Sequence, residues 1–485
     1  MDPGEVAMKI ASVVVLLGVL SAAPMPGGES LWLVGATVYD GTGGPPLAEA
    51  VIRVKDDRIA CIGGIDDCPV PEEARRLDLQ GQFITPGLVD AHVHFAQTGW
   101  FDGRPDSRIG RAFYDFEELQ RSLRARAGRW HRTFLCAGVT AVYDMGGLPW
   151  TLDLAALAED HPARVHVRAA GPLITHADSI MPLFQALESG AFLPMGSDAE
   201  AVASVRALAE MGAGAVKVWY LAPAPEIREE MDARLRLIGR EARALGLPLV
   251  VHATERREAR VALEAGARML VHSVGDQALD EAFLALTRDS GAYYVPTLRV
   301  AQNWARARAS VALGTPPEID DPNGCIGPRT RRVIRDVDRL QASLPENERT
   351  LDRVLGHLAR AAERRAVMDA NLRRVHAAGI PIATGTDAGN PLTFHGPAIY
   401  QEMEAMERAG IPADEVLVMS TRNGAAAMGR LEDFGTLEAG KLADLVVLEE
   451  DPGTSTAAYR SITRVMRAGV LQEVGWLDAK QMATF

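Results

Sequence analysis

Eight short apolar runs, each followed by residues with helical periodicity, fill the middle of the chain and leave it few folds to choose from. They are Gly87 to His94, Thr140 to Asp144, Ala163 to Ala169, Ala215 to Tyr220, Leu249 to His252, Met269 to His272, Tyr293 to Thr297 and Ile382 to Thr386. Strands alternating with amphipathic helices build a parallel sheet, and eight such units close it into a barrel. The helical stretches are well marked: Ala199 to Met211 carries Val202, Val205, Leu208 and Met211 on one face and stops at Gly212. A longer stretch, roughly 300–378, is rich in Arg, Ala and Leu with Pro and Gly interruptions, and reads as helices forming a lid over the barrel mouth.

The two ends of the chain have another style. Leu31 to Val38, Ala50 to Lys55 and Arg58 to Gly63 read as antiparallel strands, as do Leu442 to Leu448 and Val465 to Leu471. The expected architecture is therefore α/β, a (β/α)8 TIM-like barrel with a small β-sandwich built from both chain ends. The expected boundaries are 1–23 for a leader, 24–84 for the first part of the sandwich, 85–433 for the barrel and 434–485 for the rest of the sandwich. A chain of 485 residues, with 28 Pro and 45 Gly scattered and not gathered in a linker, suits one large barrel with a small companion.

The leader is read from Lys9, the unbroken apolar run Ile10 to Leu20 and the small residues Ser21-Ala22-Ala23. This is the layout of a secretory signal peptide, so a periplasmic or secreted location is expected. Pro24 disfavours a cut after Ala23 and favours one after Ala22. The run is shorter than the ~20 residues of a spanning helix, with an uncleaved anchor as the alternative, and Met8 is a second candidate start. Cys61, Cys68, Cys136 and Cys325 form no CxxC pair, so neither a zinc ribbon nor a disulfide framework can be read from them. Hydrophobic residues at 47% exclude disorder, and a net charge of -13 argues against nucleic acid or an anionic membrane as partner. A small molecule or short peptide is the expected partner, and the sequence is compatible with a homo-oligomer.

Candidate ligands for a metal fall at the C-terminal ends of five of the predicted strands, where barrel enzymes place their chemistry. In Asp90-Ala-His92-Val93-His94, period-two alternation turns both imidazoles to the same side, within reach of one divalent ion. An isolated HxH is weak, because surface histidines share that spacing. His252 in Leu249-Val-Val-His252 and His272 in Met269-Leu-Val-His272 each close a further strand, and Asp387 follows Ile382-Ala-Thr-Gly-Thr. A buried structural histidine would explain either histidine singly, and a helix N-cap would explain Asp387. Neither explains the set. Lys217, in Gly214-Ala-Val-Lys217-Val-Trp-Tyr220, places an amine on a central strand, where an unpaired ammonium is costly. Burial lowers a lysine pKa, and the neutral amine can add CO2 to form a carbamate whose two oxygens bridge two metals. A salt bridge to a neighbouring strand is the alternative.

With these residues the chain resembles the amidohydrolase superfamily, in its imidazolonepropionase-like branch that includes Xaa-Pro dipeptidases and related metallo-carboxypeptidases. The anchors are Gln82-Phe-Ile-Thr-Pro-Gly-Leu-Val-Asp-Ala-His-Val-His94, Ala137-Gly-Val-Thr-Ala-Val-Tyr-Asp144, Gly385-Thr-Asp-Ala-Gly389 and Gly435-Thr-Leu-Glu-Ala-Gly-Lys-Leu-Ala-Asp-Leu445. The resemblance runs from about Leu31 to Val470. It implies that His92, His94 and Asp387 hold a more buried metal, and that carbamylated Lys217 bridges to a second one held by His252 and His272. It further implies two divalent ions, with zinc expected. Imidazolonepropionases proper lack that lysine and hold one metal, so Lys217 points to the two-metal peptidase-like members. His252-Ala-Thr-Glu255 resembles the His-Ala-Gly-Glu of adenosine deaminases, yet Thr254 departs from it, and Glu255 reads as a carboxylate outside the ligand set or at a helix start.

The function expected is hydrolysis of an amide or peptide C–N bond by water activated between two cations, with Asp387 as catalytic proton carrier. No GxSxG, P-loop, GxGxxG or HExxH motif competes. A dipeptidase or carboxypeptidase of Xaa-Pro type comes first. A cyclic-amide or N-acyl amino acid hydrolase, and a lactone or organophosphate esterase, are the alternatives within the class. A metal-bearing barrel without turnover is the alternative outside it. His176, Tyr220, His395 and Arg168 are the candidate substrate contacts, Arg168 as a carboxylate clamp.

Overall fold

The structure is a computed structural model and describes residues 30–474 apart from 105, 106, 108, 111, 112, 160 and 177–189. The expected leader and the alternative start at Met8 lie outside the described residues. Each of the eight expected runs supplies one wall of a parallel barrel. Leu88–Val93, Val139–Asp144 and His166–Ala169 pair in parallel, as do Val216–Trp219, Leu249–His252, Met269–Val271 and Tyr293–Val295. The Gly214 amide donates to Ala169 O at 2.7 Å and joins the two groups. Strands buried on both faces need apolar residues throughout, which is why these runs are continuous and not alternating.

The eighth wall, 381–388, closes the barrel without a regular ladder. The Ala383 amide donates to Tyr294 O at 3.1 Å on one side, and the Ala91 amide donates to Thr384 O at 2.9 Å on the other. Close approach at Gly385 is part of the reason. A Cβ there would stand 2.5 Å from Val295 Cγ1 and 2.9 Å from His92 Cβ, so this wall passes nearer its neighbours than a side chain allows.

The expected helix at 199–211 is Asp198–Glu210, started by the Ser197 hydroxyl, which accepts from Glu200 N at 3.2 Å. The stretch after the seventh wall folds into helices Val300–Leu313, Pro328–Arg335, Val337–Gln341 and Leu351–Ala377. They pack on one another through Ala307, Val311, Ile334, Leu340 and Val354.

Both chain ends meet in one eight-stranded sheet. Its order is Val470–Glu473, Ile462–Arg467, Leu445–Leu448, Phe83–Pro86, Ser30–Val38, Leu47–Lys55 and Arg58–Gly63, with Arg76–Asp78 also pairing to Ser30–Val38. Leu445 and Val447 turn towards Leu33, Ile52 and Ile84. Val446 and Leu448, on the opposite face, join the core of the barrel. This alternation fuses sheet and barrel.

All four cysteines are paired, Cys61 with Cys68 and Cys136 with Cys325. Spacing could not show this, because the second pair joins positions 189 residues apart, one before the second barrel strand and one in the helical insertion.

A buried charged cluster also ties sheet to barrel. His166 Nε2 lies 2.7 Å from Asp444 Oδ2 and its Nδ1 lies 2.8 Å from Glu159 Oε2, with the ring stacked on Phe434. Burial opposes the charge on His166, but the Asp444 and Glu159 carboxylates outweigh it and raise the pKa. The same pairing holds Asp444 below the usual carboxylate range against its own burial. Asp444→Asn is expected to cost ~3 kcal/mol near pH 6, read as a lower midpoint in thermal unfolding. The imidazolium contribution is complete below an unfolded pKa of ~6.5 and is lost as pH rises through the folded value. The Asp444 contribution is present above ~3.9 and is lost as pH falls through its depressed pKa. The gap between variant and wild type should therefore shrink at both extremes.

Candidate metal centre

His92, His94 and Asp387 converge at the C-terminal mouth, with one ligand atom from each lying within 4.8 Å of the others. Asp387 Oδ1 lies 2.9 Å from His94 Nε2 and 3.5 Å from His92 Nε2. The hydrogen bond between His94 Nδ1 and Gly146 O, 2.7 Å, is satisfied by a proton on Nδ1, which leaves the Nε2 lone pair facing the centre.

His272 and His252 stand beside this group. Their ring centroids are 4.4 Å apart, and His272 is 5.0 Å from His92. His272 Nδ1 lies 2.7 Å from Thr297 Oγ1. His272, Thr297 and Asp387 all have left-handed backbones, with φ of 79°, 44° and 62°. Such conformations are unfavourable for residues with a Cβ and concentrate where a side chain must be aimed.

Lys217 completes the ring. Its Nζ is buried without a hydrogen bond, and among the described residues no carboxylate forms an ion pair with it. Burial pulls its pKa down to about 7, with Asp387 the charge that opposes the shift. Burial likewise takes His272 down to about 4 and holds His92 and His252 well below the usual value, favouring neutral, lone-pair-bearing imidazoles. Asp387 stays well below the carboxylate range: burial works against this, and the His92 and His94 rings outweigh it.

A cation is the group this donor set fits. His92 Nδ1, Lys217 Nζ and Asp387 Oδ1 are all buried without a hydrogen bond, a costly arrangement for a site built only to be stable. All six residues line one cavity of about 410 Å3. Two carboxylates hold the frame. Asp90 accepts from Thr386 N at 3.0 Å and from Thr386 Oγ1 at 2.6 Å, tying the eighth wall to the first. Asp144 accepts from Gly146 N at 2.9 Å and from Phe95 N at 3.2 Å, which fixes the carbonyl that His94 uses. Both were missed in the sequence reading, although each ends or interrupts an otherwise apolar run.

The four candidate substrate contacts are placed away from this cavity. Tyr220 is buried and donates to Asp232 Oδ1 at 2.5 Å. His176 packs on Tyr220, and its Nε2 lies 2.9 Å from Leu221 O. His395 stacks on Trp130 at 4.0 Å, with Nε2 2.9 Å from His94 O, beneath the centre and not in front of it. Arg168 donates to the carbonyls of Gly214 and Met428. The cavity is instead walled by Phe116, Phe192, Trp219, Trp304, Arg104 and Arg364, which the sequence reading did not single out. Glu255 is exposed at the start of helix Arg256–Glu264.

Comparison with known proteins agrees with this architecture. The imidazolonepropionase of Mesorhizobium japonicum is 27% identical over 445 residues, covering 85% of this chain and 89% of its own. A solved Xaa-Pro dipeptidase with methionine bound in its active site superposes with a TM-score of 0.67 at 21% identity, over 92% of this chain and 100% of its own. Molinate hydrolase gives 0.67 at 22% identity, over 93% and 96%. The sequence pattern of the amidohydrolase family matches residues 83–472, which include all six clustered residues, and the chain belongs to that family of metal-dependent hydrolases.

Proposed function

We propose that the protein is a two-metal hydrolase of short peptides, a dipeptidase or carboxypeptidase of Xaa-Pro type. The observation that carries this reading is Lys217, buried and unpartnered among four histidines and an aspartate. Its amine, shifted to about 7, has a substantial neutral fraction at physiological pH. The Nζ lone pair attacks the carbon of CO2, an N–C bond forms, and one proton leaves Nζ for solvent, giving a carbamate with two oxygen donors. His92, His94 and Asp387 would hold one divalent ion and His252 and His272 the other, with the carbamate shared. Zinc suits this nitrogen-rich donor set. When bound, such ions lower the pKa of water and polarise the scissile carbonyl.

The remaining work falls to the chain itself. Asp387, whose carboxyl stays well below the usual carboxylate range, can take the attacking water's proton at Oδ2, then return it to the leaving nitrogen. The hydrogen bonds of His94 to Gly146 and of His272 to Thr297 keep both rings aimed. Helices Val300–Leu313 and Leu351–Ala377 contribute Trp304 and Met368 to the cavity wall and limit entry of water and of long chains. Export to an oxidising compartment belongs to the same proposal, supported by the pairing of all four cysteines.

The test is metal analysis with a substrate screen of Xaa-Pro dipeptides, N-acyl amino acids and a cyclic imidazolone. Two metals per chain and release of free proline are expected. One metal with ring opening of the imidazolone would favour the second reading, supported by the name of the Mesorhizobium relative.

A further inference from the structure

Arg364 lies on the inner face of helix Leu351–Ala377 and lines the cavity beside Thr254 and Ser273. Its neighbours on that helix are occupied. Arg365 pairs with Asp369 at 2.5 Å, Arg374 with Glu281 at 2.9 Å, and Arg373 donates to Ala409 O at 2.9 Å. Arg364 donates from Nη2 to Thr254 O at 3.2 Å, and among the described residues no carboxylate pairs with it. Its side chain crosses Gly275 so closely that a Cβ there would stand 2.7 Å from Nε. A half-buried guanidinium facing a cavity, with a neutral carbonyl as its partner, keeps donors for a planar anion from outside.

Two further observations select the same ligand. Residues 300–377 carry 14 Arg against 10 Asp and Glu, in a chain of net charge -13. An insertion of positive balance at the mouth of an acidic protein draws anions to that mouth. The rest of the wall combines the apolar Phe116, Leu148, Phe192, Trp219 and Trp304 with a second guanidinium, Arg104, whose Nη1 donates to Gln97 Oε1 at 2.9 Å and Asn390 Oδ1 at 3.0 Å.

We propose that Arg364 anchors the free carboxylate of the substrate, so that the site selects small acyl or aminoacyl amino acids with apolar side chains and rejects their carboxamides. This rests on the peptide-hydrolase reading above and adds the group that fixes the end of the substrate. The test compares Phe-Pro with Phe-Pro amide as substrates, and 3-phenylpropionate with 3-phenylpropionamide as unreactive ligands, on metal-loaded wild type, R364M and R364K. A charge-assisted bidentate contact predicts an acid-over-amide ratio of about 100 in kcat/KM and in binding for wild type, falling to near one in R364M. The change should reside mainly in KM, with R364K recovering about a tenfold preference and thermal unfolding verifying that each variant is folded. A ratio that persists in R364M, or is absent from wild type, overturns the assignment. If neither peptide is cleaved while R364M abolishes the binding preference for phenylpropionate, the anchor stands and the peptide reading falls.

Discussion

Lys217→Met should abolish hydrolysis and at the same time make the metal-free protein harder to unfold. On the proposed two-metal reading, loss of the bridging group is expected to lower kcat/KM by about 1,000-fold or more, equivalent to ~4 kcal/mol of transition-state stabilisation. Metal content should fall from two per chain towards one. The opposite sign in stability follows from the buried Nζ, which makes no hydrogen bond. Replacing an unsatisfied buried amine by an isosteric apolar chain should gain ~1–2 kcal/mol in urea unfolding of the metal-free form. Elemental analysis, initial rates and denaturation together check it. A variant that is both inactive and less stable would mean that Lys217 serves as half of a structural ion pair.

Asp387→Asn separates proton transfer from shape. Asparagine has nearly the volume of aspartate and tolerates the left-handed backbone at this position, so the wall should form as before. It cannot take up a proton at Oδ2, and kcat is expected to fall by about 1,000-fold or more with a much smaller change in KM. In the metal-free wild type, the depressed Asp387 pKa contributes stability above ~3.9 that is lost as pH falls through the folded value. The asparagine variant should lack that component of acid sensitivity. Stopped assays across pH and acid unfolding curves are the measurements, and a kcat within threefold of wild type would remove Asp387 from the proton path.

That the six candidate ligands would gather in one place was legible in the sequence because barrel chemistry collects towards the C-terminal ends of the strands. His252 and His272 each close an apolar run, His92, His94 and Lys217 interrupt or end one as polar residues on an inward-facing position, Asp387 follows a Gly-containing strand end, and all six line one cavity. Parity explains one misplacement. With Lys217 facing inward, alternation turns Trp219 to the cavity and Tyr220 to the helices, where it meets Asp232. Applied to this strand as it was to His92 and His94, the same rule would have exchanged Tyr220 for Trp219. His395 and Arg168 were less accessible to such reasoning, since nothing local shows that Trp130 or the Gly214 carbonyl will take them. The cavity wall was least legible of all. Arg364, Trp304 and Met368 sit on helices whose faces are chosen by tertiary packing, among many arginines of similar local context. The Cys136–Cys325 pair is hidden for the same reason, as it depends on how the insertion folds back on the barrel.

The pairing of Phe83–Pro86 with Leu445–Leu448 sets a timetable for the making of this molecule. At ~5–20 residues per second, a ribosome releases the second strand roughly 20–70 s after the first. During that interval Phe83–Pro86 lacks the neighbour on one edge, and the core face later closed by Leu445 and Val447 is open to water. Contacts of such long sequence separation fold slowly. The sheet of the nascent chain thus stays unfinished until Leu445–Leu448 has emerged, and a holding chaperone is expected to raise the yield of folded protein.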